Sequence, residues 1–188
     1  MPTNVLDPAL TGTYTLDPTH SRLGFVARHA MVTKVRGAFK EFEGTGHLNF
    51  DAPAKSTAQV AIAVASVDTG NEQRDAHLRT NDFLDAPNFP QITFVSTAVE
   101  KLDDLTYRMT GDLTIKGSTK PITVEFSYTG AEIDAMGVQR VGFEGTATLN
   151  RRDFGVSFNA VLESGGVMIS EKITLEFDIS AVKVAAHN

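Results

Sequence analysis

The densest group of chemically able side chains lies in residues 71–90, NEQRDAHLRTNDFLDAPNFP, where Arg74, Asp75, His77 and Arg79 stand close together. A guanidinium, a carboxylate and an imidazole at such spacing could move protons for a substrate, grip an anion, or pair with one another. Acid–base or nucleophilic catalysis also needs a nucleophile and an orienting partner at suitable spacing. The segment offers neither. Elsewhere His20 adjoins Ser21, but neighbours in a strand point to opposite faces, and no G-x-S-x-G elbow occurs. A small barrel hydrolase or isomerase built on Arg74, Asp75 and His77 therefore ranks behind two other readings. In one, the group is a network that braces a helical connection. In the other, it meets the polar head of a ligand.

Metal and nucleotide chemistry find less support. The histidines, His20, His29, His47, His77 and His187, form no H-x-x-x-H or H-E-x-x-H pair, and there is no cysteine. No metal is expected. GDLTIKGSTKP has Lys116 before Gly117, the wrong order for a phosphate-binding loop, and reads as a hairpin turn. The net charge of −6 disfavours nucleic acid. The N-terminal stretch lacks a cationic, apolar leader, and no run approaches the ~18 apolar residues of a membrane helix, so a cytoplasmic protein that does not span a membrane is expected.

The elements that would carry these residues are almost all strands. Short runs of period two recur between Gly, Asp, Asn and Pro. Leu23, Phe25 and Ala27 share one face; Arg22 and Arg28 share the other. Phe39 and Phe42 are three apart, which predicts a bulge or strong coiling. Leu48 and Phe50 follow, then Val60, Ile62 and Val64, then Ile92 and Phe94. Tyr107, Met109, Leu113 and Ile115 alternate with polar residues, as do Ile122, Val124, Phe126 and Tyr128. Val141, Phe143, Ala147 and Leu149 precede a final run of Ile173, Leu175, Phe177 and Ile179. About nine strand candidates with one polar face fit an antiparallel sheet, and a sheet of that size splits into a sandwich or closes into a barrel.

Only residues 71–85 read as helical. Asn71 is a fitting N-cap, and Arg74, His77 and Leu78 then share a face. Asn81 would cap a second turn carrying Phe83 and Leu84, and Pro87 and Pro90 end the segment. Residues 1–11 read as a frayed arm, 12–183 as one domain and 184–188 as a tail. With 41% hydrophobic residues, 12 Phe and no Trp, the chain can build a real core. An eight-stranded barrel either fills itself or holds one ligand, and periodicity does not separate the two. A filled barrel acting as a stress-associated interaction protein is thus a further alternative.

Several motifs in order, among them D-P-x-H-S at Asp17–Ser21, the later His29, R-D-x-H-L at Arg74–Leu78, Phe83, Pro90 and D-F-G at Asp153–Gly155, are similar to those of the YceI-like family of polyisoprenoid-binding proteins. The resemblance spans roughly residues 12–182. It implies an all-β, lipocalin-like, extended antiparallel barrel of about eight strands around an apolar tunnel. It further implies non-catalytic binding, transport or storage of a polyisoprenoid, an isoprenoid diphosphate, an isoprenoid quinone or a similar lipid, with no cofactor required. The head group would meet Arg74, His77 and His29, with Asp75 orienting one of them. The tail would lie against Leu23, Phe25, Phe39, Phe42, Leu48, Ile62 and Val64. Beyond these it would touch Leu78, Phe83, Leu84, Phe94, Met109, Leu113, Ile115, Phe126, Phe143, Phe154 and Phe158. Homodimers are also common among relatives.

Overall fold

The structure is a computed structural model that describes residues 7–160, 162 and 168–185. Residues 1–6 of the expected arm and 186–188 of the expected tail lie outside the described residues. Eleven strands follow in order: β1 (Gly12–Leu16), β2 (Arg22–His29), β3 (Thr33–Phe39), β4 (Phe42–Leu48), β5 (Thr57–Ala63), β6 (Val67–Asp68), β7 (Gln91–Lys101), β8 (Thr106–Ile115), β9 (Ser118–Ile133), β10 (Gln139–Asn150) and β11 (Lys172–Lys183). Among the described residues one α-helix, α1 (Glu72–Leu78), lies between β6 and β7.

The sheet runs β1-β4-β5-β7-β8-β9-β10-β11 and closes through β1 against β11. That is an eight-stranded antiparallel barrel: the one-sided alternation predicts the antiparallel sheet, and the family resemblance implies its closure at about eight strands. The excess over eight comes from interruptions. β1 and β2 follow each other along the same edge of β11, pairing Tyr14–Leu16 and Arg22–Val26 respectively. β3 with β4, and β5 with β6, continue one another in the same way across their neighbours. Each interruption has its own bonds. At residues 17–21 the Asp17 N–H donates to Ser180 O, and Ser21 Oγ is bonded to both the Ser180 carbonyl and its amide. Between Phe39 and Phe42, where the spacing predicts a bulge, Lys40 N donates to Ser66 O and Glu41 O accepts from Ala63 N.

The two ends differ. At one, Leu10, Tyr14, Phe50, Tyr107, Tyr128, Val141 and Ala181 form a packed cluster. Pro8–Leu10 is a 3-10 turn, and Leu10 is only 3% exposed, so this end of the expected arm is docked rather than frayed. Tyr14 donates to Leu10 O at 2.6 Å. Burial pushes the Tyr14 phenol up to about 12, with Tyr128 adding to it. At the other end α1, the Asp82–Pro90 connection and the 3-10 turn Arg151–Phe154 cover the barrel, with Phe83, Ile92, Leu113 and Phe154 among the core they build.

Phenylalanine rings lie over glycines on the barrel wall. Gly37 is the direct cross-strand partner of Phe25, and a Cβ there would stand 2.9 Å from two ring carbons. Gly145 is likewise partnered with Phe126, and Gly111 sits under Phe94. An aromatic ring resting on a bare glycine occupies the wall instead of the lumen. Phe25, Phe94 and Phe126 are held against the wall in this way.

Candidate functional site

The interior holds two adjoining cavities. The inner one, about 260 Å³, is lined almost wholly by apolar groups, including Leu23, Leu48, Ile62, Phe94, Met109, Leu113, Phe126 and Phe143. The outer one, about 710 Å³, lies under α1 and includes Leu78, Phe83, Leu84, Phe154 and Phe158. Phe25, Phe39, Ile92, Ile115, Leu149 and Leu175 belong to both and form the ring where they meet. The filled-barrel reading is thereby set aside. The tunnel's breadth also depends on Gly44 and Gly46 in its inner wall, because a lumen-facing side chain at these positions would take its space.

Two expected tail contacts stand elsewhere. Val64 is only 1% exposed but sits in a 3-10 turn after β5, where the alternation stops, and packs with Phe83, Ile92 and Phe154 outside both linings. Phe42 begins β4 beside the interruption at Lys40–Glu41, pairs with Ile62, and is half-buried outside both cavities.

The polar rim is built from α1 upward. Asn71 caps the helix, its side chain accepting from Arg74 N at 2.9 Å. Gly70, at φ 79, makes the reversal that precedes the cap. The expected second helical turn at Asn81 is a run of tight turns instead, in which Thr80 O accepts from both Phe83 N and Asp85 N. Asp85 itself is left-handed at φ 51, which breaks the helix. Asn81 gives its carbonyl to Lys116 Nζ at 2.8 Å, tying this connection to the β8–β9 turn.

The Arg74–Asp75–His77 group does not act as one unit. Asp75, 6% exposed, points away from the cavity and accepts from the Thr69 amide and hydroxyl. It therefore stays out of the cavity lining and reaches the rim only through Thr69, whose hydroxyl also accepts from Arg74 Nε. The reason is helical geometry: Asp75 falls on the face turned to β6, between the rim positions Arg74 and His77. Arg74 also holds Thr69, through Nε to Oγ1 at 2.7 Å and Nη2 to the carbonyl at 2.8 Å, yet it lines the outer cavity. His77 lines it too. Its Nε2 is 2.8 Å from Asp82 Oδ2, and its ring stands edge-on to Phe83 and Phe158 at 4.9 and 5.1 Å. His29 lines the same cavity from the end of β2. Arg79, by contrast, binds the Ala65 and Val67 carbonyls.

Two basic residues of this rim escape a reading by sequence. Arg28 follows the outward positions of β2, yet at the strand's end it borders the outer cavity. Arg151 is 5% exposed and also lines it. Its guanidinium donates to the carbonyls of Ser170, Val156 and Ile169 at 2.9, 2.7 and 3.3 Å, with no ion-paired carboxylate among the described residues. Burial pushes its pKa down, and Arg152 adds to this, while Glu171 opposes it. The only sequence signal was the Arg151-Arg152-Asp153-Phe154-Gly155 run, which marks a turn but not the burial. Among the described residues lining the outer cavity, Arg28, His29, Arg74, His77 and Arg151 are basic and none is Asp or Glu. In a chain of net charge −6, that is a local inversion of sign.

The D-P-x-H-S stretch lies in the wall rather than the tunnel. Asp17 accepts from Arg140 Nη1 at 2.6 Å, lies 2.8 Å from His20 Nδ1, and takes the Thr19 amide. Burial acts to raise its pKa, but these hydrogen bonds outweigh it and hold the carboxyl at about 2. No cluster of three or more candidate metal ligands exists among the described residues, and no helix among them is long and apolar enough to cross a membrane.

Known proteins share this architecture. The family profile of the YceI-like domain matches residues 14–181. A UPF0312 protein of Staphylococcus aureus is 39% identical over 166 residues, covering 87% of this chain and 93% of its own. Among solved structures, BcnA of Burkholderia cenocepacia superposes with a TM-score of 0.77 at 27% identity, over 88% of this chain and 98% of that one. A polyisoprenoid binding domain from Saccharophagus degradans gives 0.68 at 16% identity, over 91% and 98%.

Proposed function

Because the chain belongs to the YceI-like family, we propose that it binds an elongated amphipathic lipid of the isoprenoid type and carries or stores it without chemical change. The observation that carries this reading is the pairing of a narrow apolar tunnel with a rim whose described lining is basic and free of carboxylates. The tail is held by removal of apolar surface from water, worth about 25 cal/mol per Å², so affinity grows with the length inserted. The head, a diphosphate or a quinone ring, lies at the rim. Arg74 and Arg151 keep guanidinium N–H groups beyond those already bonded, and these suit phosphate or carbonyl oxygen. The Saccharophagus degradans domain supports the ligand class only through its shared fold.

Native mass spectrometry of the purified protein, before and after mild organic extraction, tests this. A lipid-sized adduct that extraction removes is expected, with rebinding of prenyl diphosphates or quinones to the stripped protein. If no lipid co-purifies and neither class rebinds, the proposal fails. His77→Ala is expected to alter head-group preference; loss of a catalytic turnover with ligand affinity intact would favour an enzyme instead.

A further inference from the structure

The β2–β3 hairpin ends in RHAMVTK, residues 28–34, at the rim of the outer cavity. Three features of this tip run against ordinary surface chemistry. First, Met31 and Val32 are 58% and 75% exposed. Second, the turn is closed by the Val32 N–H donating to His29 O, with Ala30 and Met31 both left-handed at φ 52 and 59. That geometry belongs to Asn-Gly, not to Ala-Met, and left-handed backbone in side-chain-bearing residues persists where function maintains it. Third, Arg28 and Lys34 stand directly opposite each other across the hairpin, and no carboxylate pairs with either among the described residues. Like charges in that position repel.

The tip is nonetheless held firmly against the cavity rim. Ala30 N donates to Met168 O at 2.7 Å, Ser170 N donates to Arg28 O, and His29 bridges to Ile169. Among the described carboxylates, Glu176 is engaged by Arg36 and Arg22, Asp82 by His77, and Glu171 by Arg152.

We propose that this tip docks on an anionic lipid surface, inserting Met31 and Val32 while Arg28 and Lys34 meet the head groups, so that the tunnel rim faces the bilayer. Apolar side chains flanked by cations are the composition of an interfacial anchor. The overall charge of −6 would repel such a surface, so binding must be oriented by this patch. The opposite end of the barrel provides the contrast. Met136 there is 89% exposed, but it sits in a hairpin flanked by Glu132 and Asp134, at the end that also carries Asp103 and Asp104. Apolar exposure is common to both ends, but the cation beside Met136, Arg140, is ion-paired to Asp17 and Asp134, whereas Arg28 and Lys34 have no carboxylate partner among the described residues.

The proposal concerns the surface from which the tunnel is reached and does not depend on what fills it. The test is flotation with vesicles of phosphatidylcholine alone and of phosphatidylcholine with about 30% phosphatidylglycerol, at low and high salt. The full-length protein is expected to bind the anionic vesicles and to release in high salt, since the surface field is screened within about a Debye length. Removing both cations in Arg28→Ser/Lys34→Ser should weaken binding about 30-fold, at roughly fivefold per charge. Met31→Ser/Val32→Ser should weaken it at least tenfold, and Met136→Ser should leave it unchanged. Circular dichroism checks that each variant is folded. Absence of binding by the full-length protein at low salt, or equal binding by folded tip variants, overturns the proposal. A lipid found by native mass spectrometry would then leave the tunnel reading standing without the docking.

Discussion

The tunnel's passage between its two cavities depends on where one ring rests, and a single added methyl group tests it. In Gly37→Ala the new Cβ would stand 2.9 Å from Cε1 and Cε2 of Phe25 and nearer still to Cζ. Gly37 is buried and its strand is paired on both sides, so the ring is the group that must move. Phe25 lines both cavities, and the space open to it is the lumen, at the junction it shares with Phe39 5.7 Å away. Overpacking of this kind costs about 1–3 kcal/mol, readable by urea denaturation. The larger consequence is for the ligand. A tail kept from the 260 Å³ inner cavity loses about 0.8 kcal/mol per methylene, so two methylenes already mean roughly fifteenfold weaker binding. Titration with prenyl diphosphates of increasing length should show long chains weakened and the shortest, which fit the outer cavity, nearly unaffected. Phe25→Ala added to Gly37→Ala should restore the long chains. Equal weakening at all lengths, or no rescue by the second substitution, would refute the reasoning.

Three further outcomes are expected. Asp17 has a folded pKa near 2 against 3.8 in the open chain, so it adds stability that is present above pH ~4 and is lost as pH falls toward 2; Asp17→Asn should cost about 2 kcal/mol at pH 7, with the gap to the unmodified protein closing in acid urea titrations. Arg151→Met strands the Ser170, Val156 and Ile169 carbonyls and should cost about 3 kcal/mol or more, whereas Arg151→Lys, which keeps the charge without the fork, should recover only part of it in the same denaturation assay. Ala30→Gly relieves the left-handed turn at φ 52 by about 1–2 kcal/mol but adds the entropy of a freer unfolded chain, for a net gain of roughly 0.5–1 kcal/mol in urea denaturation.

Much of the barrel was legible because its cause is local. Leu23, Phe25 and Ala27 face the lumen as their period of two requires, while the irregular spacing of Phe39 and Phe42, read as a bulge, marks instead a break between β3 and β4. Asn71 announced the helix it caps. The site was legible only in part. A short helix turns 100° per residue, so Arg74 and His77 reach the rim while Asp75 between them is buried against Thr69. Val64 left the tunnel because a 3-10 turn ended the alternation that placed its neighbours there.

The one-sided strand pattern, the capped connection and the ordered family motifs could be read from the sequence, since alternation, turn residues and motifs are properties of short stretches. That the interior is open came from the folded barrel alone, because it depends on pairings across the sheet such as Phe25 over Gly37. The charge of the rim was decided the same way. Arg28, Arg74 and Arg151 come from a strand end, a helix and a 3-10 turn far apart in the chain, and barrel closure brings them to one cavity without a single carboxylate among the described residues that line it.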